Sequence, residues 1–384
     1  MRIAFLSTFF VGEYGVTRVL AAQMPLLVAA GHGVDLYTCF LDKALVPRGV
    51  HAVRVPTHFR GLRECLRRGA YDVVIACTEQ FFSLVADWEL PAVTVAYEHG
   101  YIPVELTVPE EREHHRRMIE ERIHRIYPAF SHVMTISRYA VDYIRWPGAF
   151  VLYNGADHFA DAIAAPVAGS AAESPSGGAP IRVLAVCRYR QVEWEGKGMD
   201  DFCRLKRDLG DRVDVTVIGG GDEVTSRKLA DAGIRGLGVI REPAEMAKAY
   251  AGCDVLVSFS RCEMFNLPLA EAGFAHRPAL ALDVCAHPEV TPFVFDSYEK
   301  IRDYLAASTV ESLRADGEKM FEFVDARFRW KMNAQRLLEF LERVCPADGA
   351  TGKSGPRSPS LLFRLRWMFW TAREFVRNTL RRRG

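Results

Sequence analysis

Short apolar runs recur through the first 140 residues, each of strand length and separated by stretches whose apolar residues repeat at helical spacing. Residues 3–6, 34–38, 73–76, 92–96 and 133–136 read as buried strands, with amphipathic helices over 17–30 and 110–125 among them. This alternation predicts βαβ units and a largely parallel sheet. The pattern breaks over 158–180, where small residues, Pro, Ser and Gly follow one another without periodicity, and a linker is expected. A second alternating series then begins: strands at 181–186, 213–218, a short one near 236–240, 255–259 and 279–282, with helices filling 310–343. The expectation is an α/β protein of two doubly wound Rossmann-like domains, 1–157 and 181–345, facing across a cleft, with crossover helices at the end of the second. A cleft between two such halves is a natural ligand site.

Beyond a Pro/Gly/Ser-rich segment at 346–360, residues 361–384 form a unit of a different kind. Seven arginines stand against one glutamate, and Leu361, Leu365, Met368, Phe369, Ala372 and Val376 share one face of a helical wheel. A basic amphipathic helix with tryptophans (Trp367 and Trp370) suits an anionic membrane surface, and each arginine near it adds about 1 kcal/mol. A helix packed on the protein's own body or on a protein partner has the same pattern.

The length of 384 residues agrees with two domains, and a net charge of +1 argues against nucleic acid as a partner. The nine cysteines contain no C-x-x-C pair and several lie in apolar runs, which suits a reducing cytosol and no zinc site. The opening apolar run is too short for a signal peptide and reads as a first strand. No run of about 18 uncharged apolar residues exists to span a membrane. A cytoplasmic protein held peripherally at the inner face of the membrane is the resulting expectation.

Candidate chemistry gathers where strands end. Glu263 and Glu271, with seven residues between them, follow the apolar run 254–260, and Pro268 marks a helix's first turn. One carboxylate then lies in the loop at the strand's C-terminal end and the other about one turn, ~5 Å, into the helix. That pair beside a helix N-terminus suits a polyhydroxyl ligand carrying phosphate; a capping glutamate plus a solvent-facing one fits the spacing as well. Arg188 after the strand 181–186, Lys197 in Glu195-Gly-Lys-Gly198, and the turn Gly219-Gly-Gly-Asp222 (Gly220 at its centre) suggest a diphosphate site taken together, though any one alone reads as structural. Gly12 and Gly15 open the first helix, without a G-x-G-x-x-G or P-loop pattern. His99, in Tyr97-Glu-His-Gly100, is as readily functional as structural, and His114-His-Arg-Arg117 reads as a solvated helix face with no metal assigned.

These residues, in this order, resemble the retaining GT-B-fold glycosyltransferases of the large glycosyltransferase family 4 (glycosyl transferases group 1). The resemblance is carried by Ser137–Asp142, Tyr153-Asn-Gly-Ala-Asp157, Arg188 with Lys197-Gly198, Gly219–Asp222, the stretch 246–259, Glu263-Met-Phe-Asn-Leu-Pro-Leu-Ala-Glu271, Pro288-Glu-Val290 and Phe328-Arg-Trp330. It spans about residues 1–345 and is strongest from 181 onward. It implies transfer of a sugar from a nucleotide-diphosphate sugar, itself a substrate, with no further cofactor and no metal. Glu263 and the backbone of Phe265, Asn266 and Leu267 would hold the donor sugar, and Glu271 the nucleotide ribose. Arg188 and Lys197 would neutralise the leaving diphosphate, Gly15 and Gly220 would approach the donor, and His99 would orient the sugar. Two departures stand out: Gly15 is preceded by Tyr14 and Glu13 where the family pairs glycines, and the longer Arg188–Lys197 span makes Arg190 a second phosphate candidate. The expected acceptor is a hydroxyl of a lipid-linked or cell-surface glycan precursor. The rival readings are a catalytically silent sugar-nucleotide-binding or scaffold protein and a GT-B sugar-nucleotide epimerase.

Overall fold

The computed structural model describes residues 1–12, 14–100, 111–164 and 179–345. Most of the expected linker 158–180, the whole of 346–360 and the basic segment 361–384 lie outside the described residues.

Two parallel sheets form the frame. The first has seven strands, β1 (Arg2–Phe10), β2 (Gly33–Leu41), β3 (His51–Arg54), β4 (Val73–Ala76), β5 (Val93–Glu98), β6 (His132–Thr135) and β7 (Phe150–Val151), in the order β3-β2-β1-β4-β5-β6-β7. The second has six, β8 (Ile181–Val186), β9 (Val213–Ile218), β10 (Arg235–Gly236), β11 (Val255–Ser258), β12 (Ala279–Leu282) and β13 (Val294–Phe295), in the order β10-β9-β8-β11-β12-β13. Central strands are buried on both faces, as β4 is at every residue, and this is why they read as unbroken apolar runs. Each sheet reverses its winding once, between β1 and β4 and between β8 and β11. In such sheets the crevice outside the strands' C-terminal ends at the reversal is the ligand site. The Gly15 turn follows β1, while Lys197 follows β8 and Glu263 follows β11.

The strands absent from the sequence reading are β3, β7 and β13, all at sheet edges. His51 and Arg54 of β3 are exposed, and β7 and β13 have two residues each. The helix expected over 110–125 runs over Arg112–Glu121 and continues as a π-turn through Ile126, burying Arg122. The first residues of the expected linker are helical instead: Asp157–Phe159 and Ala160–Ala164 form turns against the helix Pro243–Gly252. Phe159 is buried there, 5.9 Å from the Tyr250 ring.

The chain crosses back before it leaves the described region. The helix Trp330–Val344 packs on the helix Gly15–Ala29 of the first domain. Its buried Asn333 donates to the Tyr153 carbonyl at 2.6 Å and accepts from Gln23 at 2.9 Å. Gln23 also donates to the Tyr97 hydroxyl at 3.2 Å. Upstream, Ala156 N–H donates to the Phe328 carbonyl at 2.7 Å and Trp330 N–H to Asp157 at 2.8 Å. A Cβ on Gly155 would overlap Trp330, so only glycine lets these two segments touch. Buried polar groups bonded across the two domains in this way favour one arrangement of them, although Gln23 Oε1 finds no partner among the described residues.

Candidate active site

The second domain builds its half of the site from two loops at the β8/β11 reversal. After β11 the chain runs through Glu263 to Asn266, which sits in the left-handed region at φ 63° and opens the helix Leu267–Phe274. The Asn266 amide donates to Ser258 Oγ at 3.0 Å and lies 2.9 Å from His287 Nε2. His287 Nδ1 lies 2.8 Å from the Leu282 carbonyl, so Nδ1 carries the proton and Nε2 accepts from Asn266. The Asn266 amide N–H groups are therefore spent on shaping the loop. In the first turn of this helix Pro268 has no N–H and Leu269 N–H donates to the Asn266 carbonyl at 3.1 Å, so the backbone N–H left pointing out of the helix is that of Leu267.

Lys197 reaches the same place from the loop after β8. Gly198 follows it at φ 63°, where a Cβ would collide with the Phe259 carbonyl, and the Gly196 carbonyl accepts from Arg261 N–H at 2.8 Å. The short glycine-flanked loop is thereby pressed against the end of β11, and the Lys197 ammonium pairs directly with the Glu263 carboxylate. Burial works against charge on both. For Glu263 the Lys197 ammonium outweighs it and holds the carboxyl below its ordinary range; for Lys197 the Glu263 carboxylate outweighs it and raises the amine. Both groups are ionised at neutral pH.

Around this pair lie the other cations. Arg188 is half exposed, with Glu193 3.5 Å away. The turn 219–221 packs on 187–189: Tyr189 N–H donates to the Gly220 carbonyl at 2.8 Å, and a Cβ on Gly219 would overlap the Cys187 carbonyl. A Cβ on Gly220 would lie 3.7 Å from the Arg190 guanidinium and 3.6 Å from Val239. Arg188, Arg190, Lys197 and Gly220 thus share the C-terminal edge of β8 and β9.

The first domain contributes two features. Gly15 is exposed at the start of its helix, with nothing within 4 Å of where a Cβ would stand. His99 follows β5, its ring 4.1 Å from that of Tyr97, and its Nε2 is buried with no hydrogen-bond partner among the described residues. Burial lowers the imidazole to about 3, so it is neutral at any physiological pH. The loop is set by Glu98, which accepts from Gly100 N–H at 3.0 Å, from Arg122 at 2.9 Å and from Tyr127 OH at 2.9 Å. A Cβ on Gly100 would overlap Met264, the neighbour of Glu263. The His99 loop and the Glu263 loop therefore meet across the cleft. The sequence reading passed over Glu98 and Arg122, and a charged residue ending an otherwise apolar strand was the available signal.

Glu271 stands in surroundings that its spacing from Glu263 does not suggest. It is fully buried, with Arg18 of the first domain 3.1 Å from Oε1, His158 Nε2 3.1 Å from the same oxygen, and the Tyr250 hydroxyl donating to Oε2. His158 Nδ1 accepts from the Trp330 indole at 3.2 Å, which leaves the proton on Nε2; that nitrogen is 3.1 Å from Glu271 but not aligned for a hydrogen bond to it. Burial alone would raise this carboxyl; Arg18, followed by His158 and Tyr250, brings it down to about 2. Of the two alternatives the spacing allowed, the solvent-facing helix glutamate is excluded. A ribose contact at Glu271 requires Arg18 or His158 to give way. A second carboxylate, Glu289, also joins the domains, accepting from Arg138 N–H at 2.8 Å, Tyr139 N–H at 2.7 Å and Tyr153 OH at 2.6 Å. Among the described residues no cluster of three or more His, Cys, Asp or Glu is arranged to hold a metal ion.

Two doubly wound domains facing across a cleft, with the last helix returning to the first, define the GT-B fold. Residues 180–309 match the family described as glycosyl transferases group 1, so the second domain is a domain of that kind. No curated protein sequence matches the chain. Among solved structures, Alr3699/HepE of Anabaena, in complex with UDP and glucose, superposes with a TM-score of 0.71 at 16% identity over 89% of this chain and 100% of that one. Sucrose-phosphate synthase from Thermosynechococcus elongatus gives 0.68 at 17% identity over 89% and 98%. WaaG, a glycosyltransferase involved in lipopolysaccharide biosynthesis, gives 0.60 at 15% identity over 90% and 100%. At these identities the likeness is one of fold.

The Glu271 cluster carries a stability prediction. Glu271→Gln lowers unfolding free energy at pH 7 by about 2–3 kcal/mol, somewhat under the usual cost of breaking a buried pair because Arg18 is partly in water. The folded carboxyl, near 2, lies below its ordinary 4.5, so its contribution is fully present above about 4.5 and is lost as pH falls from there towards 2. Denaturant unfolding across that window should show wild type converging on the variant. Parallel curves would remove the assignment.

Proposed function

We propose that this protein is a retaining, metal-independent glycosyltransferase that moves a sugar from a nucleotide-diphosphate sugar to a hydroxyl acceptor. The observation that carries the reading is the half-buried Lys197–Glu263 pair, one residue from the Gly100–Met264 contact that brings His99 Nε2, unpartnered among the described residues, to the same cleft. The group 1 domain match and the fold shared with the UDP-bound HepE structure support it.

In this reading the donor's diphosphate lies along the edge of β8, with Arg188 or Arg190 gripping its oxygens as a fork and Lys197 acting as a point charge. The Gly220 turn and the N–H groups of Phe265, Asn266 and Leu267 add backbone donors. Glu263, held ionised by Lys197, accepts hydrogen bonds from sugar hydroxyls. Neutral His99 offers Nε2 to another, and Gly15 leaves room for the donor at the first domain. As the bond from the anomeric carbon to the diphosphate oxygen breaks, negative charge grows on the leaving group where the cations already stand. Such preorganised charge is commonly the largest catalytic contribution. The acceptor hydroxyl forms the new bond, and the cleft keeps water from competing. Glu271 is assigned the ribose on the strength of the resemblance, which requires the ribose hydroxyls to exchange with Arg18 or His158 on binding.

The acceptor we assign is a lipid-linked or cell-surface glycan precursor, reached from the cytoplasmic face of the membrane through the basic segment 361–384. Its charge and apolar face in the sequence support this, and WaaG shows that a protein of this fold takes part in lipopolysaccharide biosynthesis. Among the described residues no helix is long and apolar enough to cross a membrane.

A thermal-shift series with UDP-, GDP- and ADP-sugars should find one class that raises the melting temperature, since a ligand that binds only the folded state stabilises it. With that donor, Lys197→Met and Glu263→Ala should each lower turnover by about 10²-fold or more while the fold survives. Transfer that persists in both variants would contradict the site; the absence of any donor-dependent shift would favour a silent scaffold. Separately, deleting residues 361–384 should abolish co-sedimentation with anionic vesicles and leave neutral vesicles unaffected. Unchanged partitioning would remove the membrane assignment.

A further inference from the structure

Positive charge is unevenly spread along the chain. Residues 43–71 hold seven lysines and arginines against one acid, Glu64, and residues 346–384 hold nine against two. Since the whole chain carries +1, these stretches at +6 and +7 leave the rest at −12. In the structure the first stretch covers one flank of the first domain, formed by the edge strand β3, the connector 55–61 and the helix Leu62–Arg68. The helix turns Leu62 and Leu66 into the core and leaves Arg63, Arg67 and Arg68 exposed on its outer side. His51 and Arg54 of β3 and His58 and Arg60 of the connector are exposed as well. Arg68 pairs with Glu64 at 2.8 Å, while Arg60, Arg63 and Arg67 pair with no acid among the described residues.

The two basic stretches come together at one end of the molecule. The helix Leu62–Arg68 runs to the foot of the first sheet, where the Arg2 guanidinium donates to the Gly69 carbonyl and Arg2 N–H donates to Asp72 at 2.7 Å. The described chain ends at Cys345, whose sulfur lies 3.8 Å from the Asp72 carbonyl. The chain therefore leaves the described region beside the end of the basic helix. A body of net −12 is repelled by an anionic surface, and a charge separation of this kind turns the flank towards it. Nucleic acid is the poorer match. The two aromatic residues of 43–71, Phe59 and Tyr71, are buried, so no ring is offered to a base.

We propose that this flank of the first domain is a second docking surface for an anionic membrane, working together with residues 361–384. Each arginine held near an anionic leaflet is attracted by the headgroup charge, and the attraction fades within a screening length. One weak signal holds a protein marginally, whereas an anchor joined to a polybasic patch holds it stably. The terminal segment supplies the apolar anchor, and the flank fixes which side of the body faces the lipid. The connector 55–61 follows the C-terminal end of β3 at the cleft edge of the first sheet, and the helix runs from there to the foot. A membrane against this flank lies alongside the cleft, within reach of a lipid-borne acceptor. That consequence rests on the proposed transferase activity; the docking does not.

The test is co-sedimentation of the full chain with equimolar phosphatidylglycerol–phosphatidylcholine vesicles at physiological ionic strength. The triple variant Arg60→Gln/Arg63→Gln/Arg67→Gln should partition about 10²-fold more weakly than wild type. A charge-matched triple on the second domain, Arg207→Gln/Arg227→Gln/Arg314→Gln, should stay within about twofold, since those exposed side chains lie off the flank. In wild type, added vesicles should slow hydrogen exchange over 55–68 and leave the helix Glu223–Asp231 unchanged. Equal losses in the two triples would show that net charge alone is felt, and unchanged partitioning of the first triple would remove the surface; either result overturns the proposal. So does a first triple that loses affinity for single-stranded RNA while keeping its affinity for vesicles. Binding that disappears on deleting 361–384 yet survives in the first triple keeps the terminal segment's assignment and sinks the flank alone. Wild type that ignores these vesicles overturns both. No donor or turnover enters these readouts, so they decide the flank even in a protein without transferase activity.

Discussion

A carboxylate wholly shut off from water has to be met by a cation, and in this protein the cation comes from the other domain. Glu271 leaves the second domain's helix for a dry seam, where Arg18 of the first domain, His158 of the connecting segment and Tyr250 surround it. Removing one partner would strand a buried charge, which is far more costly than the pair's net worth. The two domains are thereby committed to one mutual orientation. The Gln23–Asn333–Tyr153 network and the grip of Glu289 on the helix Arg138–Tyr143 act in the same sense from either side.

That orientation is what makes a site. His99 and Glu263 belong to different sheets and different domains, and they share a cleft only because Gly100 lies against Met264. Within the second domain, the Lys197–Glu263 pair depends on β8 and β11 being neighbours, since parallel pairing brings both strands' C-terminal loops to the same edge. The two glutamates that look alike in the sequence consequently do different work. Glu263 keeps part of its surface open to the cleft beside Lys197, while Glu271 is closed into the seam. Charge placed in advance at one and domain geometry fixed by the other are complementary requirements for the proposed stabilisation of a leaving diphosphate.

Much of this frame is legible in the chain. Strands buried on both faces announce themselves, and 73–76, 181–186, 213–218 and 279–282 have the same limits in sequence and structure. Edge strands do not, because β3 exposes His51 and Arg54 and its alternation resembles a loop. Lys197 and Glu263 stand 66 positions apart, and only their places after two strands of one sheet connect them. The partnership of Arg18 with Glu271 spans 253 positions and two domains, so no local pattern carries it. Asn266 shows a subtler limit: its amide N–H groups are taken by Ser258 and His287 and are not available to a ligand.

The most direct test of the account is a crystal structure of the protein with an unhydrolysed nucleotide-sugar analogue. The account predicts the diphosphate between Arg188 or Arg190, Lys197 and the first turn of the helix Leu267–Phe274, with sugar hydroxyls within hydrogen-bond distance of Glu263 and of His99 Nε2. An analogue seated away from the β8/β11 reversal, or one whose sugar leaves His99 Nε2 without a partner, would contradict it.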